Sequence, residues 1–242
     1  MERCVYERMD ELEARHWWFS ARREIIASLI QPLLKENPDA AILEAGCGSG
    51  GNLSMLRHFG KVDAFEFDSV ALQAAEEKSG LDIRFGALPD EVPFEDNRYD
   101  LIGLFDVLEH VEADESSLAI LAERLSERGK ILVTVPAFPF LWSKHDETHH
   151  HFRRYTRASL AEVAEKAGLK VSHSSYFNTF LFPFAVASRA IKKLMGSETP
   201  DDQLPPAWIN GVLTRVFGVE RYLLGRMHLP FGLSLAAVLE KA

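Results

Sequence analysis

The stretch ILEAGCGSGGN, residues 42–52, decides the fold. An apolar run from Ala40 to Leu43 gives way to glycines at 46, 48, 50 and 51, and Asn52 then opens a helical segment. A short apolar strand, a glycine turn and a helix form the first unit of a parallel α/β sheet. The missing Cβ atoms let the backbone approach a ligand closely. Gly46, Gly48 and Gly51 satisfy G-x-G-x-x-G, the spacing of a dinucleotide-binding turn, a match that is weak by itself. Glu44 stands two residues before the first glycine, at the strand's carboxyl end. A carboxylate there suits a ligand's ammonium group and repels a pyrophosphate.

The rest of the chain continues the alternation. VDAFEF (62–67), LDIRF (81–85), YDLIGLF (99–105), KILVTV (130–135), LKVSHSSYF (169–177) and GLSLAAVLEK (232–241) read as strands. Helices are expected over 52–58, over SVALQAAEEK (69–78) with a stop at Gly80, and over ESSLAILAERLSE (115–127). Another, RASLAEVAEKAG (157–168), starts at the cap Thr156 and stops at Gly168. Residues 1–35 form an N-terminal helical cap, with Ile25, Ile26, Leu29, Ile30, Leu33 and Leu34 at helical spacing and Pro32 breaking or kinking its end. Residues 178–230 form an insertion of two helices separated by GSETPDDQLPP (196–206). Strands that are apolar nearly throughout are buried on both faces, as in a doubly wound sheet.

Composition narrows the function. The 242 residues suit a single domain. The net charge of −9 disfavours a nucleic-acid partner, which needs clustered Lys and Arg. Cys4 and Cys47 are the only cysteines, which fits a reducing compartment. The start, MERCVYERMDELEARHWW, has no apolar leader segment, and the apolar runs at 180–187 and 229–239 are shorter than the about 20 residues a span needs. The expected location is the cytoplasm.

Taken together, residues 40–177 resemble a class I S-adenosylmethionine-dependent methyltransferase. ILEAGCGSGGN resembles that family's first motif, E-x-G-x-G-x-G, through Glu44, Gly46, Gly48 and Gly50. AFEFD resembles its acidic end of strand two, GALPDEVPFEDNRYDLIGLFDVLEHV its run from strand three through strand four, and ERGKILVTVP its fifth strand. The resemblance implies a seven-stranded sheet in the order 3-2-1-4-5-7-6 with strand seven antiparallel. It implies S-adenosyl-L-methionine held by Glu44, Gly46, Cys47, Gly48, Gly50 and Asn52 at the methionine end. Glu66 would then take the ribose, Phe67, Asp68, Ala87 and Leu88 the adenine, and Phe105 with Asp106 the transferred methyl. Where the family often has an acid for the adenine amine, this chain has Ala87, so that contact falls to backbone. An NAD-dependent oxidoreductase and a non-catalytic cofactor-binding module are the alternatives.

The acceptor side is less legible. WSKHDETHHHFRRYTR (142–157) follows strand five and carries His145, His149, His150 and His151. His151, with His150 and Asp106, is the candidate catalytic set. DVLEH places Asp106, Glu109 and His110 three and four residues apart, and with His151 this resembles the metal site of small-RNA 2′-O-methyltransferases. Histidine ligands favour manganese, zinc or iron over magnesium. LEHV also occurs in ubiquinone-pathway O-methyltransferases and in members read as metal-free. Arg153, Arg154 and Arg157 suit an acidic or phosphate-bearing substrate. In the N-terminal helix, HWWFSARR offers Trp17, Trp18 and Phe19 to cover the site. NTFLFPFAVASRAIKKL (178–194), apolar then basic, reads as a lid near Trp142 and Trp17, a dimer contact or a peripheral membrane helix. The expected acceptor is a small-molecule or lipid-like compound methylated at oxygen; the oligomeric state stays open.

Overall fold

The structure, a computed structural model, describes residues 13, 15–195, 205–225 and 227–242, with only the helical backbone at 189–195. Cys4, the start of the N-terminal cap, the side chains of Arg189, Lys192 and Lys193 and most of the 196–206 linker lie outside the described residues.

Helix α1 (Trp17–Leu34) leads into β1 (Ala40–Ala45), α2 (Leu53–Leu56), β2 (Gly60–Glu66), α3 (Ser69–Ser79), β3 (Arg84–Phe85) and β4 (Tyr99–Phe105). Then follow α4 (Asp114–Glu123), β5 (Leu125–Pro136), α5 (Lys144–Thr148), α6 (Arg157–Lys166) and β6 (Leu169–Phe177). The chain closes with α7 (Phe182–Met195), α8 (Ala207–Gly218) and β7 (Ser234–Lys241). The strands form one seven-stranded sheet in the order β3-β2-β1-β4-β5-β7-β6. Pairs from β3 to β5 are parallel, while β7 runs antiparallel to both β5 and β6. The expected topology is the observed one.

Strand alternation distributes the core between two faces. Ile131, Val133 and Val135 face one layer, with Leu118 and Leu121 of α4 and Leu160 and Ala164 of α6. Leu132 faces the other, with Ile25, Ile26, Leu29 and Ile30 of α1 and Phe217 of α8. Full burial of such a side chain contributes about 1.5–3 kcal/mol. Pro32 does not break α1: the helix runs on to Leu34. An interior proline costs about 3 kcal/mol, which the docked apolar stripe of α1 outweighs.

Other boundaries shift for sheet reasons. The helix expected to 127 ends at Glu123, because Leu125 already pairs with Tyr99 and β5 starts there. LDIRF contributes only Arg84 and Phe85, an exposed edge paired on one side to β2. The helix expected over 52–58 shrinks to Leu53–Leu56. Among the described residues no helix is long and apolar enough to cross a membrane.

Candidate active site

The turn after β1 is shaped by backbone that side chains would obstruct. Gly46 has φ 73°, and a Cβ there would meet Val107 Cγ2 at 2.9 Å. Gly48 has φ 54°, and a Cβ there would meet nothing within 4 Å. Gly48 lines a cavity of about 930 Å³ that opens along the carboxyl ends of the strands, so the free space above it is ligand space. Glu44 lies under this turn, 1% exposed. Its Oε1 accepts from Asn52 Nδ2 at 2.8 Å, while Oε2 has no partner. Burial pushes its pKa up to about 8, opposed by the Asn52 bond. An orphaned, buried carboxylate oxygen is what a ligand ammonium group would complete.

Glu66, at the end of β2, ties the turn down. Its Oε2 accepts from Gly48 N at 2.8 Å, and its Oε1 from Phe67 N and Asp68 N at 3.0 Å each. Burial raises its pKa and those amide bonds pull against the rise. Two donors occupy Oε1, leaving Oε2 with room for one hydroxyl. Cys47, Asn52, Phe67, Ala87, Leu88 and Phe105 also line the cavity. The Cys47 thiol is pushed up by burial, so it is no nucleophile at neutral pH.

Two of the expected cofactor residues lie outside the cavity lining. Gly50 lies behind the turn, where a Cβ would meet Ala75 Cα at 3.0 Å, and does not line the cavity. Asp68 does not line it either: its Oδ1 caps α3 by accepting from Val70 N and Ala71 N at 3.0 Å. A short acid directly before a helix is used by the helix first.

Asp106, in a left-handed turn at φ 59°, pairs with Arg22 of α1. Arg22 is 4% exposed, donates to Thr134 Oγ1 at 3.3 Å and lies 5.0 Å from the Trp18 ring centre. Asp106 is thus the partner of a buried cation rather than a free base. Arg22 escaped the sequence reading, although HWWFSARR holds it. Trp17, Trp18 and Phe19 do line the cavity, and Trp17 also packs on Phe217 at 5.8 Å.

The histidine run is not a plain loop. Ser143 and Asp146 form a capping box that starts α5. Asp146, fully buried, also takes Arg154 through Nε at 2.7 Å and Nη2 at 3.0 Å, and His151 Nδ1 at 2.9 Å. Burial alone would raise the Asp146 pKa, but the His151 and Arg154 bonds hold it well below its ordinary value. An ionised carboxylate only accepts, so His151 Nδ1 carries hydrogen, which leaves Nε2 as the ring atom for a base or ligand role. His110 packs against His151 with ring centres 4.5 Å apart, and burial, followed by its histidine neighbours, lowers its pKa to about 3. Glu109 is 1% exposed with Oε2 unpartnered; burial, then Asp106, raises its pKa well above the ordinary value. Ligand atoms of Glu109, His110 and His151 lie within 4.8 Å of one another. Asp106 is outside that group. His150, exposed and left-handed at φ 54°, lines the cavity.

The arginines do not form an anion site. Arg153 pairs with Asp114 at 2.5 Å, Arg154 is spent on Asp146, and Arg157 donates to Leu229 O at 2.6 Å. The insertion reaches the cavity through Leu181, Phe184, Ala185 and Ser188 of the α7 region and Leu213 of α8. Trp142 does not line it. Asn178, unforeseen as a site residue, does, with a buried and unpartnered Oδ1.

Comparison with known proteins agrees with this geometry. The profile of a family described as a methyltransferase domain matches residues 18–174. No curated protein matches. Among solved structures, the chain is similar to a methyltransferase from Haloferax volcanii in complex with the Trm112 methyltransferase activator. That match has 19% identity, covers 96% of this chain and 93% of the other, and has a TM-score of 0.59. It is similar to geranyl diphosphate C-methyltransferase from Streptomyces coelicolor, at 13% identity, 90% and 78% coverage and a TM-score of 0.60. Magnesium protoporphyrin IX methyltransferase from Synechocystis, with S-adenosylhomocysteine bound, gives 13% identity, 72% and 88% coverage and a TM-score of 0.57. At such identities the structures speak for the fold, while the profile covers most of the chain: it belongs to the methyltransferase-domain family.

Proposed function

We propose that the chain transfers the methyl group to an oxygen of an apolar, lipid-like acceptor. The observation that carries this is the apolar part of the cavity lining: Trp17, Trp18, Phe19, Leu181, Phe184 and Leu213 line it beside the histidines and Arg154. An apolar wall of this kind selects by area removed from water. S-adenosylmethionine, bound over the turn by Glu44, Gly48 and Glu66, supplies an electrophilic methyl on sulfur. His151, held by Asp146, receives the acceptor's hydroxyl proton on Nε2 as the oxygen–carbon bond forms and the sulfur–carbon bond breaks. Arg22 keeps Asp106 ion-paired, and α7 with α8 acts as a lid that excludes water.

The test is calorimetry on the S-adenosylhomocysteine complex with phenols of increasing alkyl length. Each buried methylene contributes about 0.8 kcal/mol, so affinity should rise roughly fourfold per methylene until the cavity is filled. Affinity independent of chain length rejects the apolar acceptor.

A second reading of the same histidine rests on the unpartnered Glu109 Oε2. Glu109, His110 and His151 fit a divalent metal in donor type and in mutual distance, and Asp146 supplies the carboxylate that orients a ligating imidazole. Such a metal would supply Lewis-acid polarisation of the acceptor oxygen. Metal in elemental analysis, with activity lost to EDTA and restored by manganese or zinc, favours it. Full activity in EDTA leaves His151 as the base.

A further inference from the structure

The strand ends divide the cavity floor in two. β1, β2 and β4 bring Glu44, Glu66 and Asp106, the cofactor half. β5 and β6 end on either side of the start of β7, since Pro136 pairs with Ser234 and Ser234 with Phe177. Asn178 follows β6 directly and faces this second half. It is 1% exposed and its Oδ1 has no hydrogen-bond partner.

This placement is enforced. Asn178 sits at φ 60°, a region that asparagine tolerates better than most residues. The carboxylate of Glu220 accepts from the backbone N–H groups of Asn178, Thr179 and Phe180 at 2.6, 2.7 and 3.0 Å. A buried carboxylate gripping three successive amides fixes the backbone and hence the direction of the amide side chain. Ser188 and Ser234 line the same cavity, yet no side chain donates to Asn178 Oδ1. A buried carbonyl without a donor is unfavourable until a ligand brings one.

We infer that Asn178 is a binding residue for the methyl acceptor, accepting a hydrogen bond from a second hydroxyl remote from the oxygen that is methylated. The inference rests on the apolar-acceptor reading and deepens it. From β4 to β6 is three strand spacings of about 4.8 Å, so the second hydroxyl stands roughly 14 Å from the methyl-transfer end. The acceptor is therefore an apolar spacer with a polar group at each end.

The experiment measures affinities of a series of ω-hydroxyalkylphenols, each against the alkylphenol of equal length, for the S-adenosylhomocysteine complex. In the wild type the terminal hydroxyl should tighten binding about tenfold at one optimal length, the effect of one well-made hydrogen bond. Asn178→Gly keeps the left-handed backbone and deletes the amide, so the advantage should vanish while S-adenosylhomocysteine affinity is unchanged. Asn178→Asp, which still accepts, should retain it. An equal advantage in wild type and Asn178→Gly overturns the assignment. Alkylphenol binding with no effect of the hydroxyl in wild type overturns it too, leaving the acceptor class standing. If neither series binds the wild type, the apolar-acceptor reading fails and this inference falls with it.

Discussion

Glu44 makes the cofactor end of the site sensitive to pH. Burial lifts its pKa from the ordinary 4.5 to about 8. The folded chain thus keeps a proton that the unfolded chain releases, so this group's contribution to stability is complete below 4.5 and is lost as pH rises to about 8. Glu66 and Glu109 shift in the same direction. His110, lowered to about 3, acts oppositely but only below its ordinary 6.5. Between pH 6.5 and 8 the raised carboxyl groups set the slope. Urea unfolding should show stability falling across that window, and Glu44→Gln should fall less. Cofactor affinity should move the other way, tightening as Glu44 ionises against the ligand's ammonium group; equal pH profiles for wild type and Glu44→Gln would remove that contact. Glu66→Ala should weaken S-adenosylhomocysteine at least about tenfold, because a hydrogen bond to a charged acceptor contributes about 1.5–3 kcal/mol. Unchanged affinity in a folded variant would take Glu66 out of the ribose site. The positions of Glu44 and Glu66 were readable from the sequence because both lie at the carboxyl ends of strands beside a glycine turn. Asp68 has a local use that the sequence reading did not give it, the cap of α3.

Among the elements, β4 and β6 run as their apolar patterns predict, Tyr99–Phe105 and Leu169–Phe177. Where the reading failed, a tertiary contact decided. The Leu125–Tyr99 pairing cut α4 short, and the docked stripe of α1 carried the helix past Pro32. The short helix α5 came from the capping box of Ser143 and Asp146, a signal hidden under the histidines. The insertion depends on a long-range anchor that no local pattern announces: Glu220, fully buried after α8, holds the chain leaving β6. Glu220→Ala strands three amide donors, and losing them should cost about 3 kcal/mol or more. A lowered urea midpoint would show it, and an unchanged midpoint would mean that the anchor contributes nothing to stability.

At the scale of the whole molecule, the sheet order was legible because the motifs of residues 40–177 resemble those of a family that has this order, and the alternation of strands and helices agrees with it. In the cofactor half, the sequence places Glu44 and Glu66 because both lie at the carboxyl ends of strands. The surroundings were less legible, because Arg22, Asp146 and Asn178 come from α1, α5 and the exit of β6, which lie far apart in the sequence. Local sequence carries no record of their placement in the fold. The central claim, methyl transfer to an apolar oxygen with His151 as its base or ligand, has a direct test. Purified protein is incubated with methyl-tritiated S-adenosylmethionine and an organic extract of the cells that make it, and the label is partitioned between organic and aqueous phases. The account predicts label in the organic phase as a base-stable ether, reduced about a hundredfold or more by His151→Asn with S-adenosylhomocysteine affinity retained. Label confined to water-soluble products, or an undiminished rate in His151→Asn, would contradict it.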